Sequence, residues 1–527
     1  MSAKNSKPSI HSILLILLIT GFGVFARTSH LNTKFYWIDE VSSSFIITGN
    51  SPEVIDHGLS SLVGKSANVQ VVLNFLESDL NATSKDLIVD LAIHDPQHSP
   101  LYLLLGQKWA QAFGAQFSTL RILAALLGAL SLPCLAWLLY ELFLSRFTAM
   151  VGTALLTIAP FHILYSQQNR EYGLWFTVTL FSTAALLYAN RTRKTWSWIL
   201  YGVSVSLGLY SFLFFVPFFL SHGLFQYFYL KQTQDKKWKP FCLSAFFGFF
   251  SFAPWLVNIL YRSQMVQDLN RWSSNPVDHL IYVQGLLLNI SRLFVDFNLP
   301  SFRHLPWQNP QVIFPVCAVV ALIFYSLILV LKKLDGAKRI LLSSMIAVPF
   351  LFLFGMDVAK GGIHALVGRH LMPSWIGIYV AVSFCVAQGL IAKSKSNRFA
   401  SLASLILLLG YGVQFCFNYL PARDWWPLKP KETVEAADAF LSSNAEALAI
   451  AQPLSEKNLL SFVYFIKSDT PLIVLDSSTS TTLISQKVIA IYKPSEEILN
   501  SLKGDFEVKR IAADLWLASR KSKISAL

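Results

Sequence analysis

The sequence predicts a polytopic α-helical membrane protein with a small α/β domain after its last span. Three observations carry that prediction. Of 527 residues, 54% are hydrophobic and only 14% charged, whereas soluble chains carry about 25% charged residues. Apolar stretches long enough to cross a bilayer recur along the first 420 residues. Lysine and arginine gather in every second loop between them.

A membrane-spanning helix needs roughly 20 apolar residues. Eleven spans are predicted, at 10–28, 121–142, 148–166, 173–190, 196–213, 214–230, 240–261, 312–331, 340–356, 371–391 and 399–419. The stretch 196–230 reads as two short helices with a bend near Phe212 to Pro217. The 41 phenylalanines suit lipid-facing and helix-packing surfaces.

The basic clusters set the predicted orientation, because cytoplasmic loops are enriched in Lys and Arg. They are Arg191, Arg193 and Lys194; Lys231, Lys236, Lys237 and Lys239; Lys332, Lys333, Lys338 and Arg339; and Lys393, Lys395 and Arg398. With Lys4 and Lys7 before the first span, they place the N-terminus in the cytoplasm of a multi-pass protein of the cell membrane. They also account for most of the +13 net charge without nucleic acid as a partner. The first span has features of a cleaved signal peptide, including Val24-Phe25-Ala26, but the parity is equally met by an uncleaved signal anchor.

This parity leaves 100–113 no room to be a span. At about 14 residues it is also short, which suits an interfacial helix. Residues 29–120 are therefore expected to form one large outer region with helices lying along the membrane. The loops at 166–172, 262–311 and 357–370 are expected on the same extracytoplasmic side, as is everything from 420 onward.

The chain changes character after 420. Helices are predicted at 432–444, with Val434, Ala437 and Leu441 at helical spacing, and at 494–502, with Pro494 at its start. Short strands are predicted at 448–451, 472–475, 488–492, 506–511 and 515–518. The expected organisation is a transmembrane domain over 1–420 and an extracytoplasmic α/β domain over 421–527. All five cysteines fall in apolar segments, which excludes a disulfide framework or a metal-type Cys spacing. They read as small buried packing residues.

Polar groups collect on the predicted outer face. Carboxylates beside a bilayer are costly unless they face water, a partner or a substrate, which singles out Asp39-Glu40, just outside the first span. The alternative for Asp39 is an N-cap of the following helix. His94, Asp95, His98 and Tyr102 follow in the first outer region. Arg121 stands at the mouth of the second span, Arg170, Glu171 and Tyr172 in the next outer loop, and Arg369 where the tenth span begins. Together these could supply an acid/base group and a phosphate clamp. The plainer readings are interfacial anchors for Arg121 and Arg369, a surface ion pair for Arg170-Glu171, and helix anchors for the two histidines. No metal site is assigned and no cofactor is certain; two histidines near carboxylates leave a divalent metal open.

In this order the residues resemble a known family. Trp37-Ile38-Asp39-Glu40 after one span resembles the acidic signature of GT-C membrane glycosyltransferases. His98-Ser99-Pro100-Leu101-Tyr102 is similar to the family's His-Pro-Pro-Leu-Tyr stretch. Phe113-Gly114 and Arg121-Ile122-Leu123 resemble its Phe-Gly and Arg-Leu approach to the second span. Ser166-Gln167-Gln168-Asn169-Arg170-Glu171-Tyr172 resembles the Ser-Gln-x-x-Arg-x-Tyr of glycosyltransferase family 39 and its relatives, which include protein O-mannosyltransferases and aminoarabinose transferases. Gly368-Arg369-His370-Leu371 is similar to an Arg-Tyr-Leu segment. The sequence departs in having His-Ser-Pro for His-Pro-Pro, and Trp175 where some members carry an Asp.

The resemblance implies a GT-C fold and transfer of a sugar from a polyprenyl-phosphate donor on the extracytoplasmic face. The acceptor would be a hydroxyl of a lipid, glycan or protein, and the anomeric centre would invert. Asp39 would be the base, with Glu40 orienting it or binding a sugar hydroxyl. Arg170 and Arg369, and less so Arg121, would hold the donor phosphate. His94, His98, Tyr102, Glu171 and Tyr172 would line the substrate site, with membrane lipids around the spans. The alternative is a multi-span transporter or lipid flippase. Transporters, however, place ionisable residues near the bilayer midplane within paired repeats, and neither feature is visible.

Overall fold

The structure, a computed structural model, describes residues 10–50, 52–75, 82–299, 305–425, 431–451, 456–475 and 484–521. Lys4 and Lys7 lie outside the described residues. The chain divides into two compact units. The first comprises Met1–Leu31, Ile88–Tyr102 and Arg121–Pro421; the second comprises Asn32–Leu87, Leu103–Leu120 and Ala422–Leu527.

The first unit is a helical bundle of a multi-pass membrane protein. Helices occupy all eleven predicted segments. Among the described residues, seven are long and apolar enough to cross a membrane, or eight if one bent pair counts as a single span. The count of eleven thus exceeds what length and apolarity alone support. The helices containing Tyr172–Thr192 and Gly368–Leu390 are the most enclosed, with 89% and 94% of their apolar windows buried. Lys395–Tyr419 and Lys239–Tyr261 lie outermost, at 22% and 28%. Large apolar side chains such as Phe250, Phe314 and Phe417 are exposed, as lipid-facing positions require. The stretch 196–230 forms two helices, Thr195–Ser211 and Phe215–Thr233, with the expected bend between them.

One predicted span is broken. Residues 148–166 form Arg146–Thr157 and Pro160–Ser166, bent by 62°. Pro160 lacks an N–H and restricts the residue before it to extended backbone, and Ala159 has φ −66° and ψ 116°. Leu156 O keeps a tightened bond from Ala159 N at 3.3 Å, whereas Phe161 N turns away to Arg292 O, so Thr157 O loses its donor along the helix. Arg27, fully buried, supplies a replacement: it donates to Thr157 O at 3.0 Å, and also to Leu156 O at 2.9 Å. Its Nη2 also meets His162 Nδ1 at 2.9 Å.

Among the described residues of the second unit, six strands order as β1-β3-β2-β4-β6-β5. They are β1 (Ser66–Asn68), β2 (Ala447–Ala451), β3 (Pro471–Leu475), β4 (Val488–Tyr492), β5 (Phe506–Ala512) and β6 (Leu515–Arg520). β2 runs parallel to both β3 and β4, with Leu448 paired to Leu472 and to Ala490. Parallel central strands are covered on both faces and read as continuous apolar runs. In β2, Ala447 and Ala449 face one core while Leu448 and Ile450 face the other. The five predicted strands are all present. β1 and the helix Glu456–Val463 were not expected. The second core also takes in Tyr36, Val41 and Phe45 from the start of the outer region, packed with Leu459, Leu460 and Val463.

The helix Leu101–Phe113 has 13 residues, too short to span. All five cysteines are free; Cys385 and Cys416 are buried as expected, but Cys242 and Cys317 are exposed on outward helix faces.

Candidate active site

The polar segment Ser166 to Tyr172 is buried along its whole length. The helix Pro160–Ser166 stops, and Tyr172–Thr192 begins with Glu171 at its cap position. Gln167 fixes the turn by donating through Nε2 to Ala26 O and Ser29 O, both at 3.0 Å. Asn169 Oδ1 accepts from Tyr102 OH at 2.7 Å. Arg170 and Glu171 are 6% and 4% exposed, so the surface-pair reading does not hold. Arg170 Nη2 lies 3.1 Å from Glu171 Oε1. His98 Nδ1 approaches the same oxygen at 3.3 Å, and His98 Nε2 is 3.6 Å from Asp95 Oδ2.

These charges set one another's protonation. Burial alone would raise the Glu171 pKa, but the Arg170 guanidinium and His98 bring it down to about 2. Burial alone would lower the His98 pKa, and Arg170 works in the same direction. Asp95 and Glu171 outweigh both and hold it above the ordinary value. A protonated His98 donates to its carboxylate neighbours and not to Arg170.

Arg369 sits on the turn Gly368–Leu371, and a carboxylate from the preceding helix fixes the loop that carries it. Asp357, at the end of Gly336–Lys360, accepts from His364 N at 2.7 Å, His364 Nδ1 at 2.6 Å, Ala365 N at 2.9 Å and Tyr282 OH at 2.7 Å. His364 Nε2 meets Ser273 Oγ at 3.0 Å, and Ile363 N donates to Ser273 O at 2.8 Å. Gly362 has φ +121°, and a Cβ there would collide with the Ser273 carbonyl, so the close approach needs glycine. Ser273, His364 and Asp357 line up like a hydrolytic relay. Ser273, however, is 1% exposed and its hydroxyl donates to Asn270 O at 2.7 Å, so the set is a staple.

The Arg369 guanidinium lies 5.9 Å from the Tyr172 ring centre and 5.7 Å from that of Trp272. Arg170 lies 5.6 Å from the same Tyr172 ring. Two guanidinium groups from distant parts of the chain thus flank one tyrosine, close to the N-terminus of a long helix. Such an end favours anions, and arginine forks match phosphate oxygens.

Arg121 is buried and donates through Nη1 to Leu31 O at 2.6 Å. His94 pairs with Asp90 at 2.8 Å, one turn back on its own helix, and is 49% exposed. Among the described residues, no group of three or more His, Cys, Asp or Glu is arranged to hold a metal ion.

In the second unit, Asp39 and Glu40 open the helix Ile38–Thr48. The N-cap is Trp37, extended at φ −77° and ψ 149°, so the capping alternative for Asp39 is overturned. Glu40 caps the helix start instead. Its carboxylate accepts from Trp37 N at 3.3 Å, and the residue is fully buried. Asp39, one position earlier, is half-buried. Phe35 N donates to Arg423 O at 2.7 Å and Lys34 Nζ to Ala422 O at 2.9 Å, which ties the approach to this helix to the C-terminal segment of the same unit.

Sequence reasoning missed Asp357, His364, Ser273 and Trp272. The available signal for Asp357 was a lone acid in the last turn of an apolar span, followed by Gly361-Gly362.

No protein-family model matches the sequence, and no curated protein matches it. Solved structures do. ArnT of Cupriavidus metallidurans, bound to undecaprenyl phosphate, superposes with TM-score 0.52 at 12% identity, covering 98% of this chain and 99% of that one. The chain has the GT-C fold. The oligosaccharyltransferase of Archaeoglobus fulgidus, in its apo form, shares the GT-C fold at TM-score 0.51 and 11% identity; the match covers 90% of this chain and 65% of that one. The GT-C architecture expected from the Trp37 to Glu40 and Ser166 to Tyr172 motifs is therefore present.

Proposed function

We propose that this protein is an integral-membrane glycosyltransferase that moves a sugar from a polyprenyl-phosphate donor to an acceptor hydroxyl. The observation that carries this reading is the pairing of Arg170 and Arg369 about Tyr172 within a GT-C fold. ArnT of Cupriavidus metallidurans was solved with undecaprenyl phosphate, a ligand of the class proposed.

In this reading Arg170 and Arg369 hold the donor phosphate, and the lipid tail stays in the bilayer. Arg121, already engaged by a backbone carbonyl, is the weaker third contact. Glu171 and His98 keep Arg170 in place, while Tyr102, through Asn169, and Tyr172 shape the surroundings. His94 belongs at most to the periphery of the acceptor path. Asp39 takes the proton of the acceptor hydroxyl as that oxygen attacks the anomeric carbon. The bond from that carbon to the phosphate oxygen breaks, and polyprenyl phosphate leaves with the electron pair. A single displacement inverts the centre. A positioned base contributes roughly 10²–10⁴-fold in rate. Glu40, which caps its own helix, orients Asp39. The basic loops support a cytoplasmic N-terminus, with the chemistry and residues 421–527 on the other side.

The test is incubation of membranes with labelled polyprenyl-phosphate sugar. Covalent label on an acceptor supports transfer, and its loss in Asp39→Asn, with normal expression and insertion, supports the base. Label that crosses the bilayer unchanged would instead establish a flippase.

A further inference from the structure

A half-open cavity of about 550 Å³ lies between the helices Thr195–Ser211 and Lys239–Tyr261. Its size falls in the range of ligand sites, roughly 300–1,000 Å³. It stands apart from the site above: Arg193, at its rim, is the C-cap of Tyr172–Thr192, so that helix separates it from Arg170 by about 30 Å.

The cavity is amphipathic along its length. Arg193 and Lys239 mark one end, while Trp198, Ile199, Leu243 and Phe247 form the walls. Ile199, Leu243 and Phe247 are 61%, 57% and 53% exposed, so the open side faces the position of lipid chains. The floor is where the two helices touch, since a Cβ on Gly202 would come within 3.3 Å of Ser244 Cα and O. Ser244 Oγ is already committed to Trp198 O at 2.8 Å.

Charge identifies the occupant. The loops at 191–194 and 231–239 carry seven basic residues against one acid, Asp235. Asp235 lies 3.4 Å from Arg193 Nη1, yet the Arg193 side chain remains 57% exposed. Arg191 is neutralised by Glu141 at 2.7 Å and does not line the cavity. A cationic rim above an apolar trough fits a phosphate headgroup with its chain alongside.

We propose that this groove binds an anionic glycerophospholipid of the bilayer, with its phosphate between Arg193 and Lys239 and an acyl chain along Trp198, Ile199, Leu243 and Phe247. The assignment does not depend on the glycosyltransferase reading.

Native mass spectrometry of the full-length protein in detergent, titrated with phosphatidylglycerol, phosphatidylcholine or glycerol 3-phosphate, tests it. Phosphatidylglycerol should occupy one saturable site, and Arg193→Gln/Lys239→Gln should weaken it roughly thirtyfold, as expected for losing two cations near a lipid phosphate. Arg191→Gln should bind as the parent does. Leu243→Trp, which narrows the trough without changing charge, should also lose the lipid. Lys239→Gln alone provides the reading if the double variant does not fold. Equal binding of phosphatidylcholine, undiminished binding by the charge variants, or glycerol 3-phosphate binding as tightly as the lipid would each overturn the proposal.

Discussion

His98 Nδ1 stands 3.3 Å from Glu171 Oε1, the oxygen that Arg170 Nη2 reaches at 3.1 Å. One buried carboxylate thus joins Arg170 and His98, which come from separate loops. Removing one partner of a buried pair leaves an uncompensated charge, which costs about 3–5 kcal/mol. Glu171→Gln should therefore lower the thermal unfolding midpoint clearly and raise the KM for donor. An unchanged midpoint would remove Glu171 from the role of anchor.

The same contact predicts a pH dependence. The His98 pKa is raised in the folded protein, so its stabilisation is complete below the ordinary value of about 6.5 and is lost as pH rises through the folded value. Glu171, lowered to about 2, stabilises fully above its unfolded value and loses that contribution only as pH falls toward 2. Melting curves across neutral to mildly alkaline pH should show a decline that His98→Gln lacks.

Arg170 and Arg369 flank Tyr172, and a guanidinium fork is not replaced by an ammonium. Arg170→Lys and Arg369→Lys should each raise the donor KM about tenfold or more, given roughly 1.5–3 kcal/mol per charge-assisted bond. Acceptor KM should move little. Equal effects on both substrates would point to general disruption.

Asp357 is a positioning residue. Four donors converge on its carboxylate, and they fix the loop on which Arg369 rides. Asp357→Ala should expose 361–371 to limited proteolysis and weaken donor binding, with a milder loss in Asp357→Asn. Normal protease resistance together with normal donor binding would rule the staple out.

Arg27 satisfies Thr157 O, which the break at Pro160 deprives of its helical donor, and adds a second bond to Leu156 O. Unsatisfied backbone groups cost several kcal/mol within a bilayer. Arg27→Met should therefore reduce folded yield and midpoint even though no substrate contact is proposed for it, and Arg27→Lys should recover only part.

The sequence made the bundle legible because long apolar runs are a strong signal. The bend between Ser211 and Phe215 and the five C-terminal strands were equally readable from local patterns. The break at Pro160 was missed because the apolar run continues through it and the compensating donor, Arg27, lies far away in sequence. Arg170, Arg369 and Asp39 were visible as charges in short motifs. The Asp357–His364–Ser273 staple was not, since its members come from three segments and none stands in a recognisable spacing. β1 was invisible for a related reason: Ser66–Asn68 has no strand pattern and pairs with β3, whose partners come from the far end of the chain.

That pairing makes translation order matter. The helix bearing Asp39 packs against Leu459, Leu460 and Val463, and β1 needs Pro471–Leu475. Every membrane helix after the first is synthesised in between. At roughly 5–20 residues per second, the acidic helix waits on the order of half a minute for its scaffold. A ribosome that stalls before Ala447 leaves a chain with its spans inserted and its proposed base unsupported, so competence arrives only with the last strands.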